Sequence, residues 1–124
     1  MLQKRLPDAE FEIMRTIWSM QEPVTSVKVA DHLTGKLLKQ QTIVTVLARL
    51  EKKGFLRSEK PGKEREYYVL ISQQDYMQFE ARHFRAKFSQ SGMSGLMHAF
   101  YGDEKLSRQD ADALRQWLDE RSDT

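Results

Sequence analysis

The chain has no cysteine. That excludes disulfides, thiolate metal sites and a cysteine nucleophile, and it fits a cytoplasmic home. Long apolar runs are missing too: none approaches the roughly 18 residues that a membrane span needs. The opening MLQKRLPDAE holds no apolar h-region, so no secretory signal is expected. Nor is there a Gly-rich phosphate loop, a GxSxG elbow, an HExxH pair or a couple of carboxylates on an apolar strand, so no enzyme is expected. His32, His83 and His98 have no i+3 or i+4 partner to chelate with, which leaves neither a metal nor any other cofactor in view. Asp31 and His32 are neighbours on a short helix, where adjacent side chains point apart.

What is present is a globular composition. With 124 residues, 40% apolar and 31% charged, the chain fits one domain, or a small domain with an appendage. Its net charge of +2 is unevenly spread. Residues 1–71 carry 13 Lys/Arg against 9 Asp/Glu, and residues 72–124 carry 7 against 9. Between positions 36 and 65 stand nine cations, Lys36, Lys39, Arg49, Lys52, Lys53, Arg57, Lys60, Lys63 and Arg65, opposed only by Glu51, Glu59 and Glu64. A local excess of that size suits a polyanion. From charge alone, a solvated surface that happens to be basic looks the same.

The periodicities divide the chain further. LPDAEFEIMRTIWSM predicts a first helix with Pro7 in its first turn, Asp8 and Glu10 at the positive dipole end, and Ile13, Met14, Ile17 and Trp18 as its buried stripe. A short second helix follows Thr25 or Ser26 as N-cap, turns Val29, Ala30 and Leu33 inward, and ends near Gly35. The stretch QQTIVTVLARLEKKGFL is rich in β-branched residues, yet Ile43, Val46, Leu47 and Leu50 recur at helical spacing. Lys52 and Lys53 before Gly54 suit its C-terminus.

Then the period changes. FLRSEK and REYYVLI, separated by PGKE, predict a β-hairpin with a basic tip. Ser72 and Asp75 predict a capping box for a long helix to about Phe88, with Met77, Ala81, Phe84 and Phe88 on one face. SQSGMSG is expected to be a hinge, LMHAFYG a short helical piece, and Ser107 with Asp110 the cap of a last helix bearing Ala111, Leu114, Trp117 and Leu118 on one side.

Three short helices followed by a basic hairpin make the plan of a winged helix-turn-helix, in which the third helix enters the major groove and the hairpin is the wing. The expected fold is therefore mainly α with a small β-hairpin: a winged-helix DNA-binding domain over 1–71 and a three-helix dimerisation domain over 72–124. Gln41, Thr42, Val44 and Thr45 are the base-reading candidates, since amides bond adenine edges and apolar groups pack on the thymine methyl. Lys39, Arg49, Lys52, Lys60, Lys63 and Arg65 are phosphate candidates. Lys4 and Arg5 read as a frayed terminus rather than a DNA-touching arm. Phe84, Phe88, Leu96, Leu114, Trp117 and Leu118 are candidates for a dimer interface, because fifty residues in three helices make little core of their own.

PDAEFEIMRTIW, TIVTVLARLEKKGFL and REYYVL resemble the penicillinase repressor family, which includes the β-lactamase and methicillin-resistance repressors and related copper-responsive repressors. The most specific part is the T-I-x-T-x-L-x-R-L-x-K-K-G run from Thr42 to Gly54. The resemblance implies a homodimeric winged-helix repressor on a pseudo-palindromic double-stranded DNA operator; the lack of a long apolar run separately implies no insertion into a membrane. Three departures stand out. Members often carry a basic residue where this chain has Val44, so its operator is expected to differ. In the β-lactamase-type members a sensor-triggered protease cuts an Asn–Phe bond, and the aligned pair here is Ala99–Phe100, which weakens the implied cleavage. The copper-responsive members carry a C-terminal cysteine cluster, absent here. Cleavage involving a membrane sensor or protease, a small ligand in the dimer cleft, and no signal at all stay open. Two other functions fit the basic surface: a non-specific architectural DNA binder and a winged-helix protein adaptor.

Overall fold

In a computed structural model of the protein, residues 5–33 and 39–122 are described; the expected helix end at Gly35, and Lys4 and Lys36, lie outside them. Three helices come first: α1 (Asp8–Trp18), α2 (Ser26–His32) and α3 (Gln40–Lys52). Two strands follow, β1 (Leu56–Glu59) and β2 (Glu66–Val69). The chain continues through α4 (Gln73–Lys87), a 3-10 turn at Ser89–Ser91, α5 (Gly92–Tyr101) and α6 (Arg108–Arg121).

The helix starts follow local chemistry. The hydroxyls of Thr25, Ser72 and Ser107 accept the backbone N–H groups of Lys28, Asp75 and Asp110, each satisfying one donor that a first turn leaves open. α1 and α3 begin without a side-chain cap, after Pro7 and Lys39. The end of α3 is a Schellman motif: Phe55 N–H bonds to the Leu50 carbonyl at 2.9 Å and Gly54 N–H to that of Glu51 at 3.0 Å. Gly54 stands at φ +88°, which L side chains rarely adopt. Phe55 and Leu50 are both buried beside this turn. Phe55 therefore closes the helix rather than opening the strand, and β1 starts one residue later than expected.

The core lies among α1, α2, α3 and the hairpin. Ile13, Met14 and Ile17 of α1 meet Val29 of α2, Ile43, Leu47 and Leu50 of α3, and Phe55 and Leu56. The strands pair antiparallel in the register Leu56–Val69, Arg57–Tyr68, Ser58–Tyr67 and Glu59–Glu66. Val24, between α1 and α2, adds an isolated antiparallel bridge to β2 by exchanging backbone bonds with Tyr67 at 3.1 and 2.8 Å. Trp18 is only half-buried, and its indole N–H donates to the Ile71 carbonyl at 2.9 Å, tying α1 to the end of the hairpin.

The chain forms two compact units, Met1–Arg82 and His83–Thr124, so the division falls inside α4 and not at 71/72. Tyr76 explains why. It is 2% exposed, touches Phe11, Trp18, Phe55 and Phe79, and its hydroxyl accepts the Leu6 N–H at 2.7 Å. The first turns of α4 thus belong to the winged unit, and the inward face carries Tyr76 and Phe79 while Met77 is 56% exposed and Ala81 is exposed.

In the second unit the expected hinge is largely helical: Gly92–Gly95 form the first turn of α5, after the 3-10 turn. Leu96 is the buried hydrophobic residue there, at 9%. Of the six expected interface residues it is the one that folds inward. Phe84 and Leu114 are half-buried, with Phe84 against Phe88 and Phe100 at centroid distances of 4.9 and 5.3 Å. Phe88, Trp117 and Leu118 are exposed. Ala99 and Phe100 lie inside α5, both exposed.

Candidate nucleic-acid interface

α3 is two-sided because its apolar residues recur every three or four positions. Ile43, Val46, Leu47 and Leu50 are buried, while Gln41, Thr42, Val44, Thr45, Arg49 and Lys52 are exposed. Packing on α2 sets its position, and Gln40 Nε2 donates to the Ser26 hydroxyl at 2.7 Å, pinning the start of α3 to the start of α2. The Thr45 hydroxyl donates back to the Gln41 carbonyl at 3.0 Å. Its proton is therefore committed to the helix, and the side chain offers outward a methyl and acceptor lone pairs. Val44, 44% exposed, adds a second apolar contact.

The cations of the basic stretch separate into two groups. Lys39, at the start of α3, Arg49 and Lys52 on its exposed side, and Lys60 and Lys63 at the hairpin tip are exposed and have no carboxylate partner among the described residues. The rest are engaged. Arg57 bonds to Glu59 at 3.0 Å and lies over the Tyr68 ring at 4.2 Å. Arg65 donates to the Ser58 hydroxyl at 3.0 Å, which in turn meets Glu51. The Lys53 ammonium pairs with Glu10, whose side chain is 8% exposed. Glu10 thus does more than meet a helix dipole, and Lys53 does more than end one. Arg5, outside this stretch, is tied by its Nε to Glu80 at 2.9 Å, so that part of the N-terminus is anchored.

Sequence spacing shows the exposed face of α3 and the basic tip. It does not show the Ser58 hydroxyl between Glu51 and Arg65, which meet only through the turn after α3 and the pairing of the strands, nor the burial of Glu10, whose partner Lys53 is 43 positions away. Among the described residues no group of His, Asp and Glu is placed to hold a metal, and no helix is long and apolar enough to cross a membrane. His32 donates its Nδ1–H to the Lys28 carbonyl at 2.9 Å.

Helix, helix, exposed third helix and paired hairpin define a winged helix-turn-helix protein. The model of the penicillinase repressor family matches residues 6–120, and the chain belongs to that family. It is 29% identical over 120 residues to the penicillinase repressor of Bacillus licheniformis, covering 94% of each chain. It is 28% identical over 116 residues to the methicillin resistance regulatory protein MecI of Staphylococcus aureus (strain N315), again over 94% of each. Among solved structures it is similar to the monomeric form of Bacillus licheniformis BlaI in complex with the blaP half-operator, at 34% identity over 59% of this chain and 89% of that one, with a TM-score of 0.48.

Proposed function

We propose that this member of the penicillinase repressor family is a sequence-specific, DNA-binding transcriptional repressor that acts in the cytoplasm as a homodimer on a pseudo-palindromic operator. The observation that carries the reading is the outward face of α3: amide, hydroxyl, methyl and cationic groups stand free there, on a helix fixed from behind by four buried apolar residues. Gln41, Thr42, Val44 and Thr45 read base edges near the start of the helix, where such helices reach deepest. Lys39, Arg49, Lys52, Lys60, Lys63 and Arg65 take phosphates and fix the register. With Val44 in place of a basic residue, the position favours a thymine methyl over a guanine edge.

The exposed apolar surface of the second unit supports pairing with a second copy of the chain. Phe88, Met93, Phe100, Trp117 and Leu118, all in the second unit, are between 43% and 60% exposed. So much exposed apolar surface beside so small a core favours burial against an identical unit. Two winged units would then meet half-sites about one helical turn apart, roughly 34 Å.

Capture of genomic fragments by the purified protein at physiological salt tests the reading, because non-specific binding is weak there. An enriched pseudo-palindrome is the expected result. Binding without sequence preference would make the chain an architectural binder, and no DNA affinity at all would leave a protein adaptor.

A further inference from the structure

A carboxylate inside a surface that faces a polyanion repels its own ligand, so its presence calls for a compensating task. Glu51 is such a residue. It lies on the last turn of α3, half-buried, and both its carboxylate oxygens meet the Ser58 hydroxyl of β1, at 2.9 and 2.8 Å. The same hydroxyl stands 3.0 Å from an Arg65 guanidinium nitrogen. A serine hydroxyl has one proton and two lone pairs. It therefore donates to Glu51 and accepts from Arg65, and the two charges are joined through one oxygen. Among the described residues, side-chain hydrogen bonding between α3 and the hairpin runs through this hydroxyl. Ser58 faces Tyr67 in the strand register, so the link falls on the rung that Val24 also grips.

We propose that Glu51 is a positioning residue for operator binding: through Ser58 it sets the wing on the recognition helix and holds Arg65 in place for a phosphate. The inference rests on the DNA-binding reading above. It makes a prediction opposite in sign to simple electrostatics. If only charge mattered, removing an acid from this surface would tighten binding to every DNA. If Glu51 positions the wing, its removal weakens binding to the preferred sequence and leaves binding to other sequences unchanged or stronger.

The test uses the full chain as Glu51→Ala, Glu51→Gln, Ser58→Ala and the Glu51→Ala/Ser58→Ala double variant. Each is titrated with the tightest duplex recovered from a random pool and with a scrambled duplex, and hydrogen exchange of the hairpin amides is followed without DNA. E51A and S58A are expected to lower the ratio of specific to non-specific affinity about tenfold, and the double variant no further than either single one. E51Q keeps an acceptor for Ser58 and should stay within about threefold of wild type. Hairpin amides should exchange faster in E51A and S58A. E51A that binds the preferred duplex as tightly as wild type overturns the proposal, and so does S58A with unaltered affinity. Should E51A fold poorly, S58A breaks the same link without changing a charge. If wild type prefers no sequence, the repressor reading falls by itself; unchanged hairpin protection in E51A and S58A would then still overturn the anchoring.

Discussion

Lys53 at the end of α3 reaches across 43 positions of sequence to the carboxylate of Glu10 in α1, which is buried. The pair joins α3 to the scaffold behind it. Glu10 is the buried partner and Lys53 the more open one, so removing Lys53 leaves the Glu10 carboxylate without its counter-charge. Lys53→Met should therefore lower the unfolding free energy by about 1–3 kcal/mol in urea titration. The affinity of the folded fraction for DNA should change little, since Lys53 is committed to Glu10. A Lys53 variant with unchanged stability would refute this role.

Arg49 and Lys52 should behave in the opposite way. Both are exposed and without a carboxylate partner among the described residues, so alanine at either leaves the melting temperature unchanged. Each variant should weaken binding to all sequences and lower the slope of log K against log salt by about one.

Gln41→Ala should act on selectivity instead. Loss of a bidentate contact to a base costs about 1–3 kcal/mol of discrimination. Selection from random duplexes should then show one relaxed position in each half-site, with affinity for scrambled DNA unaltered. A preference identical to wild type would remove Gln41 from the base-reading set.

Tyr76 offers a pH test of the packing beneath α4. Burial pushes its phenol up to about 12, helped by a bond to Glu80 and opposed by the Leu6 N–H and Arg5. The folded state thus favours the protonated phenol. That stabilisation is complete below the unfolded value of about 10 and is lost as pH rises towards 12. Unfolding free energy should fall across that window, at most about 1.4 kcal/mol per pH unit from this group. Tyr76→Phe should remove this part of the slope; an identical pH dependence in the variant would count against it.

Trp117→Glu tests the second copy. The side chain is 43% exposed in the single chain, so the change costs little within one protomer. It should convert a dimer to a monomer in sedimentation at micromolar concentration and weaken operator binding by the loss of the second half-site. Wild type that sediments as a monomer would defeat the symmetric reading outright.

Much of the architecture is written in short-range pattern. The two faces of α3 follow from the spacing of Ile43, Val46, Leu47 and Leu50, and its end from Gly54, because helix geometry relates residues only a few positions apart. Ser72 and Ser107 mark helix starts for the same reason. α4 shows where such patterns stop deciding. Its sequence carries two apolar faces, Tyr76 with Phe79 and Met77 with Phe84 and Phe88, and either can be read as the inward one. The winged unit buries Tyr76 against Phe11, Trp18 and Phe55, and Leu6, 70 residues earlier, satisfies its hydroxyl with an N–H. Tertiary structure alone pairs Glu10 with Lys53, Val24 with Tyr67 and Glu51 with Ser58. Local sequence thus determined which surfaces exist and what chemistry they carry. Long-range packing decided which cations remain free for a partner and which are used to hold the fold, since a charge on a sequence does not reveal whether folding has brought a counter-charge to it.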